Sequence, residues 1–115
     1  MTIQYKNKGY KQADTNLNTV LTCPTDATLI VKSIYCANND ASSAILVNMN
    51  LVDSSDSSAE YEFFRDDVPA KSQVNATPQG LNLEAGDAIK AQAATANKVT
   101  VVVSYAEIDR SQENG

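Results

Sequence analysis

The side chains of this sequence with the most chemical potential are its 14 carboxylates, because histidine is absent. Asp66 and Asp67 stand together after Arg65, and two carboxylates that face one cleft form the catalytic pair of glycosidases. Neighbouring residues of a strand point to opposite faces, so we interpret this pair as a charged strand end. Without histidine, the usual proton shuttle and the Ser-His-Asp and Cys-His arrangements are also missing. The sequence predicts no catalytic residues and therefore a protein that is not an enzyme.

A second acidic stretch, residues 53–58, has the sequence DSSDSS. Calcium binds oxygen ligands at alternating loop positions, so a weak calcium site is one interpretation of this stretch. It lacks the D-x-[DN]-x-[DN]-G pattern and the glutamate that completes a calcium loop, and we favour a solvated loop. None of the four glycines belongs to a phosphate-binding G-x-G motif. We therefore predict no metal ion and no cofactor.

The two cysteines, Cys23 and Cys36, offer a disulfide if their strands are adjacent. Their spacing does not match a zinc motif. The first six residues contain no apolar segment of the kind found in signal peptides, which predicts a chain that is not exported. Reduced thiols that pack as small hydrophobic side chains are then the favoured interpretation, and a disulfide is the alternative.

The charge balance argues against several classes of partner. The chain carries 9 basic and 14 acidic residues, a formal net charge of −5. The basic residues form no cluster that would neutralise a run of phosphates, which predicts no nucleic-acid binding and no binding to an anionic membrane surface. No apolar stretch approaches the ~20 residues that a membrane-spanning helix needs.

The elements that must position these residues have the pattern of short β-strands, strongest in segments 28–38, 44–53 and 98–108. Alternation in 44–53 places four apolar side chains on one face: Ile45, Val47, Met49 and Leu51. Segment 28–38 is apolar on both faces, which predicts a central strand. On strict alternation one face of that strand carries Leu29, Val31, Tyr35 and Ala37, and the other carries Ile30, Ile34 and Cys36.

Residues 59–65 form a further predicted strand with three aromatic side chains, Tyr61, Phe63 and Phe64. An exposed aromatic platform of that kind would suit a carbohydrate-binding module. Tyr61 and Phe63 share a face on strict alternation, and packing in the core is the simpler interpretation for these two rings. Residues 66–70 are expected to end the strand.

Together with shorter strands at 18–23, 71–76 and 88–94, these segments give seven to nine strands. The alanine-rich stretch 88–97 leaves a helical turn as the alternative there. Gly86 can take a positive φ at no steric cost, which predicts a hairpin turn or a bulge there. We therefore predict an all-β fold, a single-domain antiparallel β-sandwich or jelly roll with about eight strands.

The predicted β-sandwich domain covers 18–108, and a polar tail covers 109–115. Residues 1–17 are expected to form either a flexible N-terminal arm or an edge strand that orders against a partner. This segment holds aromatic and basic side chains, and we predict that these contact the partner: Tyr5, Lys6, Lys8, Tyr10 and Lys11.

Three pieces of the chain, in their order and spacing, resemble a group of small bacteriophage virion proteins from marine and cyanobacterial phages. The first piece is TCP at 22–24 with ATLIVKSI at 27–34 and AN at 37–38. The second is LNLEAGD at 81–87, and the third is VTVVVSYAEI at 99–108. Residues 1–17 lie outside the likeness.

The resemblance implies a structural part of a phage particle without catalytic residues. The favoured role is a capsid decoration or cement protein that binds the outer surface of the major capsid protein shell and stabilises it. A tail, neck or fibre component is one alternative, and a carbohydrate-binding module for a host surface glycan is another. The favoured role places the protein in the virion, after assembly in the host bacterial cytoplasm, as a homo-oligomer in which a trimer is favoured.

Overall fold

The computed structural model describes residues 2–111, which fold into nine antiparallel β-strands and one short 3-10 turn. The strands are β1 (Thr2–Gln12), β2 (Asn18–Thr22), β3 (Ala27–Asn38), β4 (Ile45–Asp53), β5 (Ala59–Val68), β6 (Ser72–Asn75), β7 (Asn82–Leu83), β8 (Ala88–Ala93) and β9 (Val99–Asp109). The 3-10 turn, Ser54–Asp56, follows β4. The predicted all-β, single-domain fold is confirmed, and the alanine-rich stretch contains strand β8 rather than a helical turn.

The strands form two sheets whose order is that of a jelly roll. Sheet A has the order β1-β9-β3-β6, and the two-residue β7 also pairs with β3. Sheet B has the order β2-β8-β4-β5. Without β7, these orders are the arrangement in which two Greek keys wrap into a double sheet. The structure therefore takes the jelly-roll form of the predicted sandwich.

The hydrophobic core lies between the two sheets. β3 and β9 contribute side chains from sheet A, and β4 and β8 contribute side chains from sheet B, at alternate positions along each strand. The fully buried side chains include Leu29, Ile34, Val47, Met49, Ile89, Val101 and Val103. The face of β4 predicted to be apolar is buried at its first three positions, whereas Leu51 is only half-buried.

A β-bulge interrupts β3. The strand pairs with β9 through Val31↔Tyr105 and then through Ser33↔Ser104, so Lys32 is an extra residue with no partner in β9. An extra residue in one strand shifts the alternation of its side chains by one position. The faces of β3 therefore exchange at Lys32.

The bulge corrects the prediction for segment 28–38. Ile34 and Cys36 lie on the buried face with Leu29, and all three are fully buried. Ile30 and Tyr35 lie on the opposite face and are 42% and 39% exposed. The prediction that Ile30 shares a face with Ile34 is wrong, because strict alternation does not anticipate the extra residue between them.

A second bulge lies in β5, where Phe63 has no partner in β4. Phe63 and Phe64 both pack partly against the core. Tyr61 is 50% exposed, and its hydroxyl donates a hydrogen bond to the carboxylate of Asp56. The prediction that Tyr61 packs in the core is wrong, because β5 is the edge strand of sheet B and this ring lies against the 53–58 loop instead.

A buried carboxylate closes the turn between β7 and β8. Asp87 is 7% exposed, and its Oδ1 accepts a hydrogen bond from the N–H of Ser54 at 2.9 Å. The Ser54 hydroxyl donates to the carbonyl of Ala85 at 2.7 Å and lies 2.9 Å from the same Oδ1. Its Oδ2 accepts from the N–H of Glu84 at 2.9 Å. Gly86 takes a φ of 82°, and its N–H donates to the carbonyl of Cys23. The chain turns at Gly86, but the turn is not a hairpin, because β7 pairs with β3 whereas β8 pairs with β2 and β4. Asp87 connects this turn to the loop after β4.

The first strand extends sheet A. Thr2–Gln12 form an edge strand, β1, which pairs with β9 of the same chain along its whole length. The predicted ordering of this segment against a partner stays a prediction. The other side of β1 is an edge of sheet A. Strand β9 ends at Asp109, within the predicted tail, and residues 112–115 lie outside the described part of the chain.

The two cysteines are buried free thiols, as the favoured prediction states. Cys36 is fully buried in β3, and desolvation raises its pKa to about 12. Desolvation also raises the pKa of Cys23, whose thiol lies 3.3 Å from the carbonyl of Ala27. Both shifts favour the neutral thiol in the folded state.

The buried thiol of Cys36 predicts a loss of stability at alkaline pH. Its folded-state pKa of about 12 lies above the ordinary value of 9.0. Above pH ~9 the thiol therefore ionises in the unfolded chain but stays neutral in the folded protein, and the free energy of unfolding falls as the pH rises toward 12. We expect this group alone to lower the unfolding free energy by about 2 kcal/mol between pH 8 and pH 10.5. Urea denaturation of wild type and Cys36→Ala at both pH values measures that difference.

Val74→Ala is the matched control, because Val74 is half-buried directly opposite Cys36 on β6. It removes packing and keeps the thiol, so it should retain the wild-type pH dependence. An equal loss of stability with pH in Cys36→Ala and wild type would contradict the prediction.

Candidate assembly surfaces

The outward face of sheet A carries an apolar patch. Among the described residues, seven large hydrophobic side chains are exposed, and five of them belong to β1, β3 and β9 of this sheet. We call these five the sheet A patch: Ile3, Tyr5, Ile30, Tyr35 and Val102. Isolated exposed apolar side chains are ordinary on protein surfaces, whereas groups of them mark interaction sites. Within the sheet A patch, one polar row separates its two ends: Asn7, Ser104 and Ser33.

Strand register places the sheet A patch on one face. Tyr5 and Ile30 both pair with Ala106, one from each side of β9. Val102 pairs with Tyr35 on one side and with Gly9 on the other. Directly opposed residues project to the same face of a sheet. The bulge at Lys32 is what brings Ile30 and Tyr35, five positions apart, onto that common face.

Two features shape the surface of the patch. Gly9 has no side chain beside Val102, and no atom lies within 4 Å of the position that a Cβ would take there, so the surface is open at this point. The Nζ of Lys32 lies 4.9 Å from the centre of the Tyr5 ring. A cation over an aromatic face restrains both side chains and leaves a positive charge at the border of the patch.

The five residues predicted to contact a partner all lie on β1. Tyr5 is 75% exposed and belongs to the sheet A patch. Lys6 pairs with Glu107 at 3.3 Å, and Lys8 and Lys11 are exposed. Tyr10 packs partly against the core, which leaves less of its ring for a partner. Alternation along β1 places Tyr5 and Lys11 on the outward face and Lys6, Lys8 and Tyr10 on the other face.

The opposite sheet has an acidic edge. β5 is the edge strand of sheet B and continues through Asp66 and Asp67 to Val68, beyond the strand end predicted at residue 65. Its exposed side chains include four carboxylates, those of Glu60, Glu62, Asp66 and Asp67. Glu60 contacts Lys90 at 3.1 Å, and Glu62 contacts Arg65 at 2.8 Å. The hydrogen bonds from Lys90 and Asn50 lower the pKa of Glu60 below its ordinary value.

The 53–58 loop uses its carboxylates locally. Asp53 accepts hydrogen bonds from the N–H of Ser55 at 3.0 Å and from its hydroxyl at 2.6 Å. Within residues 2–111 no three Asp, Glu or Cys side chains are grouped closely enough to hold a metal ion. The same part of the chain has no helix long and apolar enough to cross a bilayer.

The comparisons with known proteins relate the chain to others by fold. No protein-family model matches the sequence, and a search of curated proteins finds no match. One similar structure is a chain from Bacillus endospore appendages, described as disulfide-linked pili, with a TM-score of 0.56 and 11% identity over 96% of this chain and 90% of the other. Another comes from the acid-stable capsid of Helicobacter pylori bacteriophage KHP30, with a TM-score of 0.57 and 14% identity over 93% and 87%. At this level of identity the likeness establishes a shared fold.

The sequence predictions named Tyr5 and the lysines of β1 as partner contacts, because residues 1–17 hold aromatic and basic side chains outside the apolar strands. That role stays a prediction. The sequence predictions missed Ile30, Tyr35 and Val102, because apolar side chains on both faces of a strand are the usual pattern of a strand covered on both sides. An apolar outward face on a sheet with no second covering layer has the same pattern in the sequence.

Proposed function

We propose that this chain is a non-enzymatic structural protein of a phage particle, a decoration or cement protein that binds the outside of the capsid shell through the sheet A patch. The observation that carries the proposal is the concentration of exposed apolar side chains on one sheet face, with Lys32 at its border. Burying such a face against a shell removes apolar surface from water, which stabilises the complex. A symmetric lattice multiplies that gain over many copies.

The fold is compatible with an assembly role. Jelly rolls are common in viral capsid proteins, although a fold alone does not fix a function. Both similar structures come from multi-subunit assemblies, one a capsid and one a pilus. The pilus is described as disulfide-linked, whereas the only two cysteines of this chain are both buried. A capsid role, which needs no surface thiol, therefore fits this chain better than covalent linkage between copies.

Co-sedimentation with shells tests the proposal. The purified chain is mixed with expanded capsids of the corresponding phage that lack it, and the pellet is assayed for bound chain and for heat resistance. We expect saturable binding and a higher temperature of capsid disruption. The double variant Tyr5→Thr/Ile30→Thr should bind at least about tenfold more weakly, since each large apolar side chain contributes on the order of 1 kcal/mol or more when buried.

The chain offers a matched control on sheet B. Tyr61 and Leu46 are 50% and 36% exposed, so Tyr61→Thr/Leu46→Thr removes similar side chains from the other sheet. This control should bind shells as wild type does. Failure of wild type to co-sediment, or equal weakening by both double variants, would exclude the proposed surface. Binding confined to tail or neck structures in electron micrographs would favour the tail or neck alternative.

A further inference from the structure

Two long strands leave free edges on opposite sheets. β1 has 11 residues and lies at one edge of sheet A, and β5 has 10 residues and lies at one edge of sheet B. In an antiparallel pair, alternate residues direct their N–H and C=O groups away from the partner strand. Each edge therefore presents a row of main-chain donors and acceptors that can pair with a further strand.

The two edges carry opposite charge. β1 contains Lys6, Lys8 and Lys11 and no acidic residue. β5 contains four acidic residues and one arginine. Lysine on a free edge opposes pairing with an identical edge, and two acidic edges repel each other in the same way. The combination that the charges favour is β1 of one copy with β5 of another.

We propose that copies of this chain associate head to tail, with the basic edge β1 of one copy pairing with the acidic edge β5 of the next. The inference goes beyond the proposed function, because it concerns contacts between copies and holds with or without a shell. A contact between two different surfaces is heterologous, and its repetition forms a ring if the rotation closes. The trimer predicted from the sequence is one such ring.

An antiparallel register exists that matches the charges. If Lys6 of one copy lies opposite Glu62 of the next, Lys8 lies opposite Glu60, because both pairs are two positions apart. Both pairs then fall in the regular part of β5, before the bulge at Phe63. Within their own chain, Lys6, Glu62 and Glu60 form ion pairs near the surface with Glu107, Arg65 and Lys90. Such pairs contribute little to stability, so their exchange for contacts between copies costs little.

Charge reversal and mixing test this contact on the full chain. Sedimentation velocity should show association of wild type at about 50 mM salt that weakens at about 500 mM, where exposed charges are screened. Lys6→Glu/Lys8→Glu and Glu60→Lys/Glu62→Lys should each associate at least about tenfold more weakly, because opposed like charges replace opposed unlike charges. An equimolar mixture of the two variants should associate again, because it offers oppositely charged edges.

Recovery in the mixture separates the proposal from misfolding, since unfolded variants would not regain association. Lys71→Glu/Lys98→Glu is the matched control, because both lysines are exposed and lie outside β1 and β5. It should associate as wild type does. Wild type that stays monomeric at every salt concentration, reversed variants that associate alone, or a mixture that does not recover would each overturn the proposal. These experiments contain no capsid, so their outcome is independent of the shell-binding experiment.

Discussion

Replacement of Asp87 by asparagine is expected to lower the free energy of unfolding by about 2–4 kcal/mol. The carboxylate of Asp87 accepts hydrogen bonds from the N–H groups of Ser54 and Glu84 and is 7% exposed, and the Ser54 hydroxyl lies 2.9 Å from one of its oxygens. Asparagine has nearly the same shape but replaces one acceptor oxygen with a donor NH2 group. At least one part-buried N–H then loses its acceptor, and the bond that remains loses the strengthening that an ionised acceptor provides.

Because of its location, the loss of the Asp87 carboxylate should lower the stability of the whole domain and not of one loop alone. Ser54 follows β4 in sheet B, and Glu84 follows β7, which pairs with β3 of sheet A. The main chain of Asp87 also joins this point to the segment after β2, because its carbonyl accepts a hydrogen bond from the N–H of Cys23 at 2.8 Å. One side chain therefore holds together segments attached to both sheets.

Equilibrium denaturation in guanidinium chloride measures this effect, and the thermal midpoint should fall by roughly 10 °C. Asp67→Asn is the control, because Asp67 is an exposed aspartate on β5. Its stability should stay within about 0.5 kcal/mol of wild type. If Asp87→Asn unfolds at the wild-type denaturant midpoint, the hydrogen bonds to Asp87 do not contribute as the geometry implies.

The contrast between Gly86 and Asp87 illustrates what the sequence could reveal. A turn at Gly86 is predictable, because a positive φ is a local property of the chain and glycine adopts it freely. The role of Asp87 depends on Ser54, 33 positions away, and the sequence contains no local sign of that contact. Strands β4 and β9 are also predictable from local sequence, because burial on one face imposes alternation of apolar and polar residues along each strand.

The elements that the sequence did not resolve depend on neighbouring strands. The bulges at Lys32 and Phe63 are defined by pairing with β9 and β4, so alternation within one strand cannot locate them. The edge strand β1 shows little periodicity, because nine of its 11 residues are exposed. The sheet A patch could not be distinguished from core, because an exposed apolar face and a covered apolar face have the same residue types.

Two isoleucines of one strand provide the second large effect. Ile34→Ala is expected to lower the unfolding free energy by about 2–5 kcal/mol, because it leaves a cavity in a close-packed core. Ile34 is fully buried, whereas Ile30 is 42% exposed on the other side of the bulge. Ile30→Ala should therefore cost less than about 1 kcal/mol, since water already reaches much of its side chain. Denaturation of both variants under one set of conditions gives the difference directly.

The pair also separates stability from function. Both changes have the same chemistry in the same strand, and strict alternation would give them the same face and similar costs. Equal losses of stability would contradict the bulge at Lys32 and with it the common face of the sheet A patch. The expected result is different for the two variants. Ile34→Ala loses stability but still binds shells when binding is measured well below its thermal midpoint. Ile30→Ala keeps its stability and binds shells more weakly, because Ile30 lies on the surface proposed to dock and contributes little to the core.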